Sequence, residues 1–113
     1  MGVGFKCAPA PAVTCQGPGC TGAQSAAVSA IPGVVFSGSV DGHPRAYATG
    51  DGRILWDYDT AREFDPVNRV KASGGSIDAA GPVIAGGLLL TNSGYGMWRG
   101  KPGNVLLAFE VGK

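Results

Sequence analysis

The sequence predicts an all-β protein made of short antiparallel strands, and three observations support this fold class. Short runs rich in Val, Ile, Leu and aromatic residues alternate with Gly, Pro and Asp-Gly turns, and no segment has a helical period. The 20 glycines and 8 prolines among 113 residues are interleaved with these runs, so they indicate turns rather than disorder. One pattern of strands also occurs twice along the chain.

The elements follow one another as an arm, a sheet, a link and a second sheet. Residues 1–24, rich in Pro, Gly, Ala and Cys, are predicted to form an extended arm. Residues 25–60 are predicted to form a sheet of four strands, "AAVSAI" (26–31), "GVVFSGS" (33–39), "RAYA" (45–48) and "ILWDYD" (54–59). Residues 61–80 are predicted to be an irregular link. Residues 81–113 are predicted to form a sheet without a fourth strand, from "GPVIAG" (81–86), "LLLTNS" (88–93) and "NVLLAFEV" (104–111).

An internal repeat relates the two predicted sheets. Residues 25–42 align with residues 78–96 at an offset of 54, which places Gly33 over Gly87 and Phe36 over Leu90. The next match is "RAY" with "LAF", once the insertion "MWRGKPGN" is allowed. Four-stranded units repeated at such a period are typical of β-propeller blades, and two blades cannot close a ring of ~4–8. We therefore expect about two blades from the C-terminal part of a longer propeller.

Composition excludes some classes of partner. The net charge is +1 and no basic block occurs, so the sequence gives no indication of nucleic-acid binding. No apolar run is long enough to cross a membrane, and the first twelve residues lack the apolar core of a signal peptide. The three cysteines, Cys7, Cys15 and Cys20, match no common zinc or haem spacing; one disulfide that staples the arm is expected, with its pairing open.

The segments "IPGVVFSGSVDGHPRAY", "GDGRILWDYDT", "GGSIDAAGPVIAGGLLLTNSGYG" and "PGNVLLAF" resemble the C-terminal end of pyrroloquinoline-quinone (PQQ) dependent alcohol dehydrogenases, especially the polyvinyl-alcohol-dehydrogenase-like members. The blade motif of that family is A-x-D-x-x-T-G-x-x-x-W. Ala46, Gly52 and Trp56 match it, whereas Ala48 and Asp51 replace its Asp and Thr. In the family the Trp docks one blade onto the next, so a packing role is favoured over cofactor contact for Trp56.

The resemblance implies an eight-bladed periplasmic enzyme that oxidises alcohols with PQQ and Ca²⁺. It also implies the remaining blades, an alcohol substrate and an electron acceptor such as a cytochrome c as partners. The Ca²⁺ ligands and the catalytic Asp match no position here, so no catalytic or metal-binding residue is assigned and the chain alone is expected to be inactive. The alternative is a non-catalytic propeller scaffold in envelope protein assembly, which the departures at Ala48 and Asp51 favour.

Two long loops carry the candidate cofactor-binding residues. Loops 61–80 and 93–104 are predicted to open on the same side of the blades, which holds the quinone in the resembling family. The candidates are polar or small residues suited to an anionic tricarboxylate: Asn68, Lys71, Gly75, Ser76, Asp78, Asn92 and Trp98, with Tyr95 and Arg99 beside them. The alternative is that Gly74-Gly75 is a turn and the charged residues are only solvated. His43, with no partner at ligand spacing, is predicted to be structural, and Asp57, Asp59 and Glu63 to lie on a solvated outer strand.

Overall fold

The computed structural model describes residues 17–97 and 100–110, and these residues form only β-strands and connecting loops. The strands are β1 (Ser29–Ile31), β2 (Val34–Ser37), β3 (Arg45–Ala48), β4 (Ile54–Asp57), β5 (Glu63–Phe64), β6 (Ala72–Ser73), β7 (Val83–Ala85), β8 (Leu88–Ser93) and β9 (Val105–Glu110). They pair antiparallel in three sheets, β1-β2-β3-β4, β5-β6 and β7-β8-β9. The predicted all-β antiparallel fold class is confirmed. Within these residues there is no helix with the length and hydrophobicity needed to cross a bilayer.

The link over residues 61–80 is more ordered than its sequence indicated. It contains the β5-β6 hairpin, in which Glu63 pairs with Ser73 and Phe64 with Ala72. Two-residue strands are too short to produce an alternating pattern, and this explains why the prediction of an irregular link was wrong. The predicted strand at 26–31 is also shorter, because only Ser29–Ile31 pairs with β2.

The strand registers of the first and third sheets correspond. In the first sheet, Phe36 lies opposite Ala46, and in the third, Leu90 lies opposite Ala108. These are the positions that the internal repeat aligns. The two sheets are therefore built on one plan, and their arrangement is consistent with two blades of a propeller.

Glycines fix the hairpin turns that set these registers. Gly33 has a φ of 83° in the Pro-Gly turn between β1 and β2, as a type II turn requires at its third position. Gly86 and Gly87 have φ values of 57° and 78° in the two-residue turn between β7 and β8. Two successive positive φ angles are the signature of a type I′ hairpin, whose twist matches that of the paired strands.

Aromatic side chains connect the first sheet to the third. The ring of Trp56 on β4 contacts that of Phe109 on β9 edge to face, with centroids 5.0 Å apart. Tyr58 contacts the same Phe109 ring at 5.1 Å. A groove of about 460 Å³ separates the sheets at this point, lined by Ile31, Phe36, Trp56, Ile84, Gly87, Leu88, Leu89, Phe109 and Glu110. Trp56 thus packs one sheet against the other, as aromatic pairs commonly do.

A second part of the core lies away from that groove and is centred on Ile77. Its side chain is fully buried, and its backbone N–H donates to the carbonyl of Ser39 (3.0 Å). It packs directly over Gly38, where any side chain would overlap it. The close approach of Ile77 to Gly38 therefore fastens the link onto the first sheet.

Near the start of the described residues, Cys20 is disulfide-bonded, while Cys7 and Cys15 lie outside the described residues.

Candidate functional site

The two long loops meet on one side of the sheets, as the sequence predicts, and Ser76 joins them. Its carbonyl accepts hydrogen bonds from the backbone N–H groups of Gly94 (2.8 Å) and Tyr95 (3.0 Å). Its N–H donates to the carbonyl of Lys101 (2.9 Å), and its hydroxyl accepts from the N–H of Lys101 (2.7 Å). The same hydroxyl donates to the carbonyl of Val40. One buried serine thus binds the link, the 93–104 loop and the β2–β3 turn together.

A second junction of buried hydroxyl groups lies beside Ser76. The hydroxyl of Ser93 accepts from the N–H of Gly75 (2.8 Å) and lies 2.8 Å from the hydroxyl of Thr60. Thr60 donates in turn to the carbonyl of Gly42 (2.5 Å). Thr60 and Ser93 are both almost fully buried. Buried polar groups are stable only when paired, so these bonds fix the relative position of the three sheets.

Two open clefts flank Asn104 at the outer end of these loops. One, of about 300 Å³, is lined by Asn92, Ser93, Gly94, Tyr95, Gly103, Asn104, Val105 and Leu106. The other, of about 390 Å³, is lined by Glu63, Lys71, Ala72, Ser73, Pro102, Gly103 and Asn104. Asn104 anchors the wall between them, since its Oδ1 accepts from the N–H of Ser73 (2.9 Å) and its Nδ2 donates to the carbonyl of Lys71 (3.4 Å). The clefts are adjacent and share Gly103 and Asn104.

Three polar side chains that line the clefts, those of Glu63, Lys71 and Asn92, are exposed, and the ion pair among them is weak. The Lys71 Nζ atom lies 3.7 Å from Glu63 Oε1, and the two side chains are 86% and 75% exposed. Exposed pairs of this kind contribute little to stability, so both groups can turn toward a ligand at little cost. Asn92 is exposed at the end of β8. These clefts can offer ammonium and amide donors to an anionic or carbonyl-bearing molecule.

The structure brings only some of the predicted site residues together. Lys71 and Asn92 line the two clefts. Gly75 and Ser76 are buried within the loop junction, where their hydrogen bonds are internal. Trp98 and Arg99 lie outside the described residues.

Asn68 and Asp78 lie elsewhere. The side chain of Asn68 accepts from the N–H of Val70 (3.1 Å) at the exposed tip of the β5-β6 hairpin. Asp78 accepts from the hydroxyl of Ser25 (2.8 Å) and from the N–H of Ala79 (2.7 Å), so it ties the start of the first sheet to the end of the link. Both side chains thus have hydrogen-bond partners within the fold, and neither lines either of the two clefts.

A buried arginine organises a charged cluster that the sequence analysis missed. Arg45 is only 3% exposed; its Nη2 donates to Asp41 Oδ2 (3.1 Å) and its Nε to Asp57 Oδ2 (2.8 Å). Its Nη1 also donates to the hydroxyl of Ser39 (2.8 Å). His43 Nδ1 lies 2.6 Å from Asp57 Oδ1. His43 therefore has a carboxylate partner, which strand pairing supplies from a distant part of the sequence.

Hydrogen bonds and attraction between opposite charges together shift the pKa values of Arg45 and Asp57 more than burial does. Burial alone would lower the pKa of Arg45, but its hydrogen bonds to Asp41 and Asp57 raise that pKa above its ordinary value. Burial alone would raise the pKa of Asp57, but its hydrogen bonds to His43 and Arg45 hold that pKa below its ordinary value. Arg45 and Asp57 are thus both charged at neutral pH, and their pairing holds the β2–β3 turn against β4.

The described residues include no cluster of His, Cys, Asp or Glu side chains that could hold a metal ion. The carboxylates of the arginine cluster are engaged by Arg45, and Glu63 is paired only with Lys71 across the second cleft. Besides the single carboxylate of Glu63, the clefts carry amides, hydroxyls and one ammonium group. Their donor set fits an organic anion and not a divalent cation.

The fold and the site are those of a propeller-type protein. Two antiparallel sheets repeat the same plan, and their polar loops lie together on one side. Comparison with known proteins is more specific. The chain is similar to a polyvinylalcohol dehydrogenase of Pseudomonas sp, with 47% identity in an alignment of 114 positions that covers 91% of the chain. It is also similar to a polyvinylalcohol dehydrogenase of Sphingopyxis sp. (strain 113P3), with 46% identity in an alignment of 102 positions that covers 81% of the chain. The resemblance to polyvinyl alcohol dehydrogenases that the blade motif predicts is therefore confirmed.

The matched relatives are much longer than this chain. It spans 18% of the Pseudomonas protein and 16% of the Sphingopyxis protein. No family model and no solved structure matches the chain. The similarity thus concerns one portion of each relative, and the activity of a whole protein does not follow from it directly.

Proposed function

We propose that this chain forms part of a PQQ-dependent alcohol dehydrogenase that oxidises primary, secondary or polymeric alcohols. The observation that carries the proposal is the identity of almost half of its residues to two relatives named polyvinylalcohol dehydrogenase. The two alignments cover 91% and 81% of the chain. The remaining blades of the longer protein complete the site, so the chain alone has no turnover.

The clefts around Asn104 are the part of this chain that fits the quinone. PQQ is an anionic tricarboxylate with carbonyl oxygens, and it needs donors rather than acceptors at its edge. Lys71 provides an ammonium group and Asn92 an amide on either side of Asn104. When bound, PQQ would accept the two electrons and two protons that an alcohol loses on becoming an aldehyde or ketone. We assign binding and orientation to Lys71 and Asn92, and support of the cleft wall to Asn104.

Gly75 and Ser76, the two predicted cofactor-binding residues that are buried in the loop junction, have a different role in this proposal. Gly75 and Ser76 hold the two loops in place from beneath, so they position the clefts without touching a ligand. The described residues include no group of three His, Cys, Asp or Glu side chains that could hold Ca²⁺, and we assign the metal site to other blades. The proposal also includes a periplasmic location, an alcohol substrate and an electron acceptor such as a cytochrome c. These rest on the resemblance alone.

A chimera of the Pseudomonas relative tests the proposal. The aligned segment of that protein is replaced by this chain, and alcohol oxidation is measured with added PQQ and Ca²⁺. We expect activity within about tenfold of the parent, since 47% identity preserves most of the contacts between blades. A chimera that is folded and stable but inactive would refute the proposal.

Variants of the same chimera test the two cleft residues. Asn92→Ala and Lys71→Ala are each expected to weaken PQQ binding roughly tenfold, the cost of one hydrogen bond to a charged group. Asn68→Ala and Lys101→Ala are matched controls, because Asn68 lies at the hairpin tip and Lys101 contacts only the backbone of Ala61 through its Nζ. Equal affinity in all four variants would remove the clefts from the quinone site.

A non-catalytic scaffold is the other function that the sequence suggested. Asp51, one of the two departures from the blade motif, accepts from the N–H of Arg53 (3.0 Å) and so stabilises the β3–β4 turn. This gives the substitution a local structural reason. Because both relatives are named as dehydrogenases, we favour the enzyme.

A further inference from the structure

The half-buried ring of His43 lies between two carboxylates. Its Nδ1 atom is 2.6 Å from Asp57 Oδ1, and its Nε2 atom is 3.6 Å from Asp59 Oδ1. Both distances are within the range of an ion pair, so each ring nitrogen faces an acceptor from the end of β4 or the residues just after it. Sequence spacing does not reveal this arrangement, because strand pairing supplies both carboxylates.

Further contacts hold the two carboxylates in place. The other oxygen of Asp57, Oδ2, accepts from Arg45 Nε (2.8 Å). Asp59 Oδ1, the atom that faces the ring, also accepts from the backbone N–H of Ala61 (2.9 Å). Little side-chain entropy is therefore lost when a proton on His43 binds either carboxylate.

The number of protons on the ring decides whether both contacts attract. The pKa of Asp57 is held below its ordinary value, so its carboxylate is ionised and only accepts. The His43 ring therefore has a proton on Nδ1. In the neutral ring, Nε2 then has a lone pair that faces the Asp59 carboxylate, and this contact is repulsive. A second proton, on Nε2, turns it into an attraction between opposite charges.

The charged groups around the ring come from each element that packs against it. Asp41 lies on the β2–β3 turn, Arg45 on β3, Asp57 on β4 and Asp59 just before the link. Arg45 binds two of the carboxylates, those of Asp41 (3.1 Å) and Asp57 (2.8 Å). Three carboxylates thus surround one guanidinium, and a doubly protonated His43 adds a second positive charge to the set.

The turn that carries His43 also supports the loop junction. The carbonyl of Gly42 accepts from the N–H of Thr60 (3.0 Å) and from its hydroxyl. The carbonyl of Val40 accepts from the hydroxyl of Ser76. A contact that fastens this turn to the segment after β4 therefore also steadies the hydrogen bonds beneath the two clefts.

We propose that His43 is a pH-sensitive clasp, in which the imidazolium donates to Asp57 through Nδ1 and to Asp59 through Nε2. It closes the β2–β3 turn onto the segment after β4. Loss of the Nε2 proton breaks the second contact and leaves the first. The added stability is therefore present in acid, where the ring carries both protons, and is lost as the pH rises through the range in which imidazole titrates.

NMR of the full chain tests the protonation of the ring, since His43 is the only histidine among the 113 residues. Two-bond ¹H–¹⁵N correlation spectra, recorded from about pH 5 to about pH 8.5, report each ring nitrogen separately. We expect both nitrogens to be protonated at the acid end of the range, and only Nε2 to lose its proton as the pH rises. A ring that has a single proton throughout this range would overturn the proposal.

Asp59→Asn distinguishes the clasp from a solvated histidine. It removes the charge beside Nε2 but keeps an acceptor for the N–H of Ala61. It should move the titration of the ring to lower pH by roughly 0.5 pH unit, the size of an exposed ion pair. Asp51→Asn is the matched control, because Asp51 accepts in the same way from the N–H of Arg53 (3.0 Å), at the end of β3 and β4 away from His43. It should leave the titration within about 0.1 pH unit of the wild type, where screening makes distant charges weak. Equal displacements in the two variants would contradict the proposal.

His43→Asn tests the stability that the clasp adds. Its amide keeps a donor near Asp57 but neither reaches Asp59 nor takes up a proton. The Tm advantage of the wild type over this variant should be about 3 °C larger at about pH 5.5 than at about pH 8.5. At the lower pH the N–H of Thr60 should also exchange roughly threefold more slowly in the wild type. A Tm difference that does not change with pH would refute the clasp, and the Asp59→Asn titration decides the matter if His43→Asn does not fold. No measurement here needs a quinone, so failure leaves the proposed function unaffected.

Discussion

Replacing Ser93 with alanine removes the hydroxyl on which the buried loop junction depends. In the wild type this oxygen accepts from the N–H of Gly75 (2.8 Å) and lies 2.9 Å from the carbonyl of the same residue. It also contacts the hydroxyl of Thr60 at 2.8 Å. Ser93 is 2% exposed, so water cannot take its place without opening the junction. The N–H of Gly75 would then be buried without an acceptor.

The expected loss of stability follows from the buried N–H of Gly75, which has no acceptor in this variant. A buried unsatisfied polar group costs about 1–3 kcal/mol, and the loss of a second hydrogen bond adds about 1 kcal/mol. We therefore expect Ser93→Ala to lower the free energy of unfolding by roughly 3 kcal/mol, or Tm by about 10 °C in a domain of this size. Thermal unfolding followed by circular dichroism at a fixed chain concentration measures the change.

Ser73→Ala provides the control for this prediction. Ser73 lies on the neighbouring strand β6 and is engaged through its backbone, whose N–H and C=O bond to Asn104. Loss of its half-buried hydroxyl should change Tm by no more than about 2 °C. Equal shifts in the two variants would show that the hydroxyl of Ser93 does not hold the loops, and the reasoning would be refuted.

Two further predictions concern the charged cluster and the contact between the sheets. Because the folded-state pKa of Asp57 is lowered from 3.8, its carboxylate stabilises the fold above that value, and this contribution is lost as pH falls through the lower folded pKa. Asp57→Asn should therefore lower Tm more at pH 7 than in acid, where the carboxylate becomes protonated, as Tm measured from pH 7 downward will show; a constant difference contradicts the assignment. Trp56→Ala should cost about 2 kcal/mol, less than a fully buried Trp because the side chain is half-exposed. A double-mutant cycle with Phe109→Ala should give a coupling of roughly 1 kcal/mol, and additive effects would show that the ring contact carries no energy.

The fold could be predicted largely because its signals are local. Alternating apolar runs with Gly-containing turns predicted the strands, and the offset between Gly33 and Gly87 predicted two sheets of the same plan. The β5-β6 hairpin was missed because its strands, Glu63–Phe64 and Ala72–Ser73, are held by two residue pairs and by neighbouring loops. A strand that depends on its surroundings leaves no period in the sequence.

The site was less predictable because its contacts are between distant residues. Arg45 and Asp57 are ordinary charged residues in the sequence, and only the register of β3 with β4 makes them a buried pair. The one available signal was the alternation that places both on the same face of adjacent strands. Ser76 was selected because it is polar and lies in a long loop, but the sequence does not reveal whether such a hydroxyl points outward or into a junction.

The loops of this chain show why polarity alone is a weak guide to a binding site. Where three sheets meet through irregular backbone, buried N–H and C=O groups need partners, and small hydroxyl side chains provide them at the least cost in volume. Ser76 and Ser93 meet that need, so their polarity is explained before any ligand is considered. Lys71 and Asn92 are exposed in the open clefts and have no comparable structural task. The residues whose polarity the fold leaves unexplained are thus the better candidates for contact with a quinone.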